Sequence, residues 1–254
     1  RWAPKHYDWY RNLLPFNNFL KFRASWGRVG NDRLKDENGN DIRFPYLTTL
    51  GNVSSTWGTG LAENRTGSMN LKWEVSTKTN FGIDARFFDD KVDMTVDFFH
   101  TKTTDIFQRR ANIPDEGGLS NVLPYANIGS MKSWGMDGTL AYTHTFNKDM
   151  ALTVRGNFTH AENEVIYWEQ SGVNYPYQSN SGVPYKVQRG LIALGLFKDE
   201  DDIKSSPKQT FMDNYRPGDI KYKDVNGDGK IDKDDVVPLN YSAVPFIQYG
   251  FALD

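Results

Sequence analysis

The chain has no cysteine in its 254 residues, which removes a disulfide scaffold, a thiolate nucleophile and a cysteine-built zinc site. It leaves the compartment open, though it fits an exported chain that avoids stray oxidation. No run of about 18 apolar residues occurs, so no transmembrane helix is predicted. Arg1-Trp2-Ala3-Pro4 is not a charged segment leading into an apolar stretch, so no secretory leader is read there. In a chain of exported character, this predicts that Arg1 is not the natural N-terminus. An excess of one charge is missing too: the net charge is −2, and no nucleic-acid partner is expected. The 4 histidines, His6, His100, His144 and His160, are scattered at spacings that suit no metal. Glu162 with Glu164, and the acidic run at 199 to 202, read as ordinary loop carboxylates. Without a nucleophile elbow, phosphate loop or dinucleotide fingerprint, no enzyme is predicted.

Hydrophobic residues are sparse at 38%, yet aromatics reach 14%, with 16 Phe, 13 Tyr and 7 Trp. That balance suits a surface meeting both lipid headgroups and water better than a packed aliphatic core. The pattern along the chain is alternation. Leu20, Phe22, Ala24 and Trp26 interleave with Lys21, Arg23 and Ser25. Thr79, Phe81, Ile83, Ala85 and Phe87 oppose Lys78, Asn80, Asp84 and Arg86, and after a tight turn Val92, Met94, Val96 and Phe98 oppose Asp93, Thr95 and Asp97. A second hairpin, 134–145 and 150–160, repeats the plan with Met136, Leu140, Tyr142, Leu152, Val154 and Phe158 on its apolar side. Residues 187–197 and 245–253 complete about seven candidate strands. The turns after 88 and 145 are short, whereas the segments 29–73, 103–132 and 161–186 are long and polar. Short turns on one side and long loops on the other predict a membrane barrel. One-sided alternation is equally the mark of a soluble β-sandwich, and pattern alone keeps both open.

Four separated blocks carry a resemblance. LKWEVSTKTNFGIDARFFDDKVDMTVDFFHTKTTDIF (71–107), KFRASWGRVGND (21–32), NIGSMKSWGMDGTLAYT (127–143) and PGDIKYKDVNGDGKIDKDD (217–235) followed by PFIQYGFAL resemble the SusC/RagA family of TonB-dependent outer-membrane transporters of Bacteroidetes. The resemblance implies an all-β fold, antiparallel strands of a 22-stranded barrel in the bacterial outer membrane. Residues 1–254 would be its middle-to-late part, with plug, N-terminal extension and final strands outside the chain. It implies import of glycan oligosaccharides or peptides, a SusD-like surface lipoprotein as lid, the TonB complex as energy source and membrane lipid around the barrel. No cofactor is required.

Within residues 217–240, expected to be an extracellular loop, DVNGDGKIDKDD matches a calcium loop. Asp224, Asn226, Asp228, the carbonyl of Lys230, Asp232 and Asp235 occupy ligand positions one, three, five, seven, nine and twelve, with Gly229 at the sharp turn. Hard carboxylate oxygens favour Ca²⁺ over zinc or copper. Asp235 is shorter than the usual Glu, and Val236-Val237-Pro238 breaks any helix after the loop. An Asn-Gly/Asp-Gly turn cluster is the plainer account. Trp57, Trp168, Tyr175, Tyr177 and Tyr185 lie in polar surroundings and are candidates for stacking on a substrate or partner, or for packing loops together. The competing function is a soluble, calcium-stabilised β-rich module that binds glycans. The faces at 79–87, 92–98 and 152–158 separate the two readings: a continuous apolar band for the barrel, a buried face for the sandwich.

Overall fold

The structure is a computed structural model that describes residues 7–13, 15–35, 39–56, 58–113 and 122–254. In chain order the elements are α1 (Asp8–Leu13), β1 (Asn17–Asn31), β2 (Thr49–Ser55), β3 (Gly58–Arg65), β4 (Glu74–Phe87), β5 (Val92–Arg109), β6 (Tyr125–Thr145), β7 (Ala151–Tyr167), β8 (Val187–Gly190), β9 (Ala193–Leu196), α2 (Glu200–Ser205), β10 (Lys208–Gln209), β11 (Ile220–Tyr222), β12 (Lys230–Ile231), β13 (Val237–Ser242) and β14 (Ile247–Leu253). The chain divides into two units, one of residues 1–169 and 245–254, the other of residues 170–244.

The first unit is built on a six-stranded antiparallel sheet in the order β1-β4-β5-β6-β7-β14. Alternation dictates its two faces, because side chains of a strand point up and down in turn. The register aligns the apolar sets strand by strand. One row runs Phe22, Ile83, Val96, Gly138, Phe158, Tyr249; the next runs Leu20, Ala85, Met94, Leu140, Gly156, Phe251. The three segments singled out in the sequence therefore share one continuous face. Its large side chains are not packed away: Phe98 is 45% exposed, Leu140 53% and Tyr249 73%. A sandwich would bury them against a second sheet. From Trp134 to Tyr142 the band extends about 27 Å along β6, at about 3.4 Å per residue, close to the height of a barrel's lipid-facing belt.

Both short turns lie at one end of this sheet, after Phe87 and after Thr145. At the first, Phe88, Asp89 and Asp90 all have left-handed φ values of 56°, 54° and 63°. Asp89 is tied to Asn18 by a side-chain bond of 3.2 Å and a backbone bond of 3.0 Å. Phe16 stacks on both Phe87 and Phe88 beside the turn. The long connections leave from the other end. There β5 and β6, 18 and 21 residues long, exceed the roughly 9–11 residues a membrane crossing needs. Their extra length carries register shifts at Thr103, Ile106 and Phe107, and Phe107 stacks on Tyr125 at 4.8 Å.

The second unit corrects one strand expectation. Residues 187–197 do not form a seventh long strand; they break into β8 and β9, paired with β13 and β11. The break follows Gly190, and Gly195 has φ +132°, a conformation that interrupts a regular strand. Within this unit Phe197, Ile231, Gln209 and Asp235 are all buried, with Gln209 paired to Ile231.

Candidate functional site

The face opposite the apolar band is mostly polar, and several of its charges are paired across strands. Arg23 on β1 holds Asp84 on β4 through two nitrogens and reaches Asp97 on β5 at 2.7 Å, while Lys21 bonds Asp84 at 2.8 Å. One long side chain bridges three strands because the residue between them is glycine. Arg23, Gly82 and Asp97 share one register row, and a Cβ on Gly82 would strike the Arg23 guanidinium and the Asp97 carboxylate. The bridge also relieves Asp97, which faces Asp137 directly across β5 and β6. Further along the same face, a hollow of about 690 Å³ is lined by Asp93, Thr139, Thr153, Arg155 and Asn157 among others. A wall of this kind offers a wet lumen hydrogen-bonding groups held in fixed positions.

At the long-loop end, Glu169 just after β7 is almost fully buried. It accepts from the Arg110 side chain at 2.8 Å and from the backbone N–H groups of Ala111 and Asn112 at 3.1 and 2.7 Å. Burial pushes the carboxyl up, but the N–H bonds and the Arg110 charge outweigh it and hold Glu169 below the ordinary value. The clamp fixes the root of the β5–β6 connection. Sequence reading did not find it. The signal, a lone Glu after a strand, is indistinguishable from a solvated loop acid until the fold brings Arg110 to it.

In the second unit the 224–235 segment forms a tight loop. Asp224 accepts from the N–H groups of Gly227 and Gly229 at 2.6 and 2.8 Å. Asp228 accepts from Lys230 N–H and Asp232 from Asp234 N–H. Asp235 is completely buried and takes the N–H groups of Val225 and Asp232 at 2.7 and 2.9 Å. Gly229 at the sharp turn has φ +83°, and Ile231 packs inward with no exposed surface. Among the described residues no three His or acidic groups converge on a common metal point, because these carboxylates are turned to loop amides. No exiting helix follows; a 3-10 turn over Lys233–Asp235 leads into β13.

The structure brings two of the predicted aromatics to this loop. Tyr175 and Tyr177 stack at 5.3 Å, nearly parallel. The Tyr177 hydroxyl donates to the Asp234 carbonyl at 2.6 Å, and the Tyr175 hydroxyl accepts from Asn226 at 3.2 Å. Burial, then Tyr175 and the charges of Asp235, Asp234 and Asp224, push the Tyr177 phenol up. Arg189, unremarked in the sequence, donates to the carbonyls of Tyr177 and Ser179 and anchors their turn. Tyr185 is exposed, with the Lys186 ammonium 5.5 Å from its ring centre. Trp168 is half-buried in the first unit, and Trp57 lies outside the described residues.

The profile of the family described as TonB dependent receptor-like, beta-barrel matches residues 6–234. The chain belongs to this family of outer-membrane proteins. The family's description and its curated relatives are those of receptors, not enzymes. TonB-dependent receptor P39 of Formosa agariphila is 31% identical over 253 residues, an overlap of 86% of this chain and 23% of that protein. TonB-dependent receptor SusC of Bacteroides thetaiotaomicron is 25% identical over 231 residues, covering 85% of this chain and 21% of SusC. Among solved structures, the RagAB peptide importer in its closed-closed state superposes with a TM-score of 0.67 at 21% identity, over 99% of this chain and 26% of that one. The likeness to RagAB is one of fold. This chain spans about a quarter of the length of the proteins it matches.

Proposed function

We propose that residues 1–254 are the middle-to-late part of a TonB-dependent importer barrel, the wall through which an oligosaccharide or peptide enters the cell. The observation that carries this is the register itself: one continuous apolar face, one mostly polar face with ion pairs across its strands, and long connections leaving a single end. A wall of this kind makes and breaks no bonds. It holds a wet passage open to a solute while energy comes from elsewhere in the assembly. The likeness to SusC and to the RagAB peptide importer supports a SusD-like lipoprotein as lid and the TonB complex as energy source. The apolar face left exposed by the sheet weighs against the soluble glycan-binding module.

The test is uptake by cells carrying or lacking the full-length protein. Labelled oligosaccharide and peptide pools are supplied with and without a collapsed proton gradient. Loss of energised uptake of one pool on deletion is the expected result. Uptake of every pool unchanged by deletion would refute the import reading.

Within the same reading, residues 217–240 are an extracellular loop whose 224–235 stretch takes Ca²⁺ through Asp224, Asn226, Asp228, the Lys230 carbonyl, Asp232 and Asp235. The left-handed Gly229 supports it, since the ligand pattern demands a glycine at that sharp turn. Asp235, already holding loop amides, is the ligand that has to move most. Calcium titration of the full-length protein followed by calorimetry checks it: a saturable heat abolished by Asp224→Ala supports the site, and no heat up to millimolar calcium rejects it.

A further inference from the structure

One row beyond the apolar band, on the same face and toward the long-loop end, the register lines up Arg28, Thr77, Lys102, Lys132 and Glu164 on β1, β4, β5, β6 and β7. Arg28 and Lys102 are exposed. Lys132 pairs with Glu164 at 2.9 Å and lies 5.4 Å from the Trp134 ring centre. Lys102 and Lys132 stand directly opposite each other, an arrangement of like charges that is unfavourable without an anion between them. The row thus holds three cations against one carboxylate. Glu162, one row nearer the band, is drawn to His160 at 3.4 Å. At about 4.8 Å per strand, Arg28 lies roughly 10 Å from Lys102 and Lys102 roughly 5 Å from Lys132.

The row below contains Trp26, Thr79, His100 and Trp134, with Trp26 69% exposed. Indole rings at this level mark the border between hydrocarbon and headgroups. The opposite border, near the short turns, is lined by Phe87, Val92, Tyr142, Val154 and Leu253 and carries no matching basic row. The asymmetry follows the sheet's long-loop end, which in outer-membrane barrels faces outside.

Resting on the outer-membrane barrel reading, we propose that Arg28, Lys102 and Lys132 form a docking strip for the phosphate-bearing headgroup of an anionic outer-leaflet lipid, its acyl chains lying on the apolar rows beneath. Charge complementarity selects the anion. Continuity of the strip with the lipid-facing band selects a lipid rather than a free ion.

The test uses the purified, delipidated full-length protein in detergent, with native mass spectrometry as readout. The probes are bis-phosphorylated lipid A, its dephosphorylated counterpart and inorganic phosphate. The wild type is expected to retain the phosphorylated lipid about tenfold more strongly or better than its dephosphorylated counterpart. An Arg28→Gln/Lys102→Gln variant, which leaves the Lys132–Glu164 pair intact, is expected to lose most of that preference. Lys78→Gln on the opposite face is expected to keep it. Heat-modifiable gel migration confirms that each variant is folded. Equal retention of both lipids by the wild type, an undiminished preference in the double variant, or displacement by millimolar inorganic phosphate would overturn the strip. Failure to retain either lipid would count instead against the apolar face being lipid-facing at all.

Discussion

At the scale of single residues, Gly82 is a constrained position in the wall. The Arg23 side chain crosses the space where a Cβ would sit, so Gly82→Val forces the guanidinium off Asp97. Asp97 then faces Asp137 without its cation. These groups are partly exposed, 14% to 36% by side chain, so screening limits the loss, and about 1–2 kcal/mol is expected. A drop in the urea midpoint of the refolded barrel measures it, and Gly82→Val should add little once Arg23→Gln is present. Glu169 offers a second prediction, this one pH-dependent. Its folded value is depressed, so its contribution is complete above the ordinary carboxyl range near 4.3 and is lost as pH falls through the lower folded value. Hydrogen exchange at Ala111 and Asn112, corrected for intrinsic pH dependence, should quicken below that point. In Glu169→Gln, which keeps a carbonyl acceptor but no charge, it should be faster at every pH. Neither residue announced itself in the sequence. Gly82 is one of 22 glycines, and its role appears only once three strands are in register. Glu169 meets partners 57 to 59 residues away.

At the scale of the strand, alternation has a price for error that depends on the face. Leu140→Arg puts a charge in the middle of the apolar row and is expected to destabilise the inserted barrel by about 2–4 kcal/mol. Thr139→Arg, one residue away on the polar face, should cost little. Folding yield into lipid vesicles, read by gel mobility, distinguishes the two, and equal penalties would contradict the assignment of faces. The β-strands were legible because the spacing of apolar residues records which side meets lipid, a local property of period two. The failure at 187–197 has the same root. Short apolar stretches alternate in any half-buried loop, and only pairing partners decide whether a strand continues. β8 and β9 find theirs within residues 170–244.

At the scale of the whole chain, the division into two units carries its own prediction. Residues 170–244 are inserted between β7 and β14, which pair directly from His160–Ile247 to Val154–Leu253. Replacing the insertion in the full-length protein with a short Gly/Asn hairpin should therefore leave assembly of the barrel intact, with outer-membrane fractionation and heat modifiability unchanged. Uptake should fall to background if the insertion handles solute or lid. Loss of assembly would mean that the sheet depends on the insertion after all.

The order of apolar and polar residues by itself determined that this chain makes strands with one lipid-compatible face, where its short turns fall, and which family it resembles, because each of these is written in neighbouring residues. The tertiary structure alone decided which charges meet. It set Arg23 across Gly82, buried Glu169 under Arg110, tied Tyr175 and Tyr177 to the acidic loop and drew Arg28, Lys102 and Lys132 into one row. Those meetings depend on strand register, and register is set by hydrogen bonds between segments that no local pattern connects.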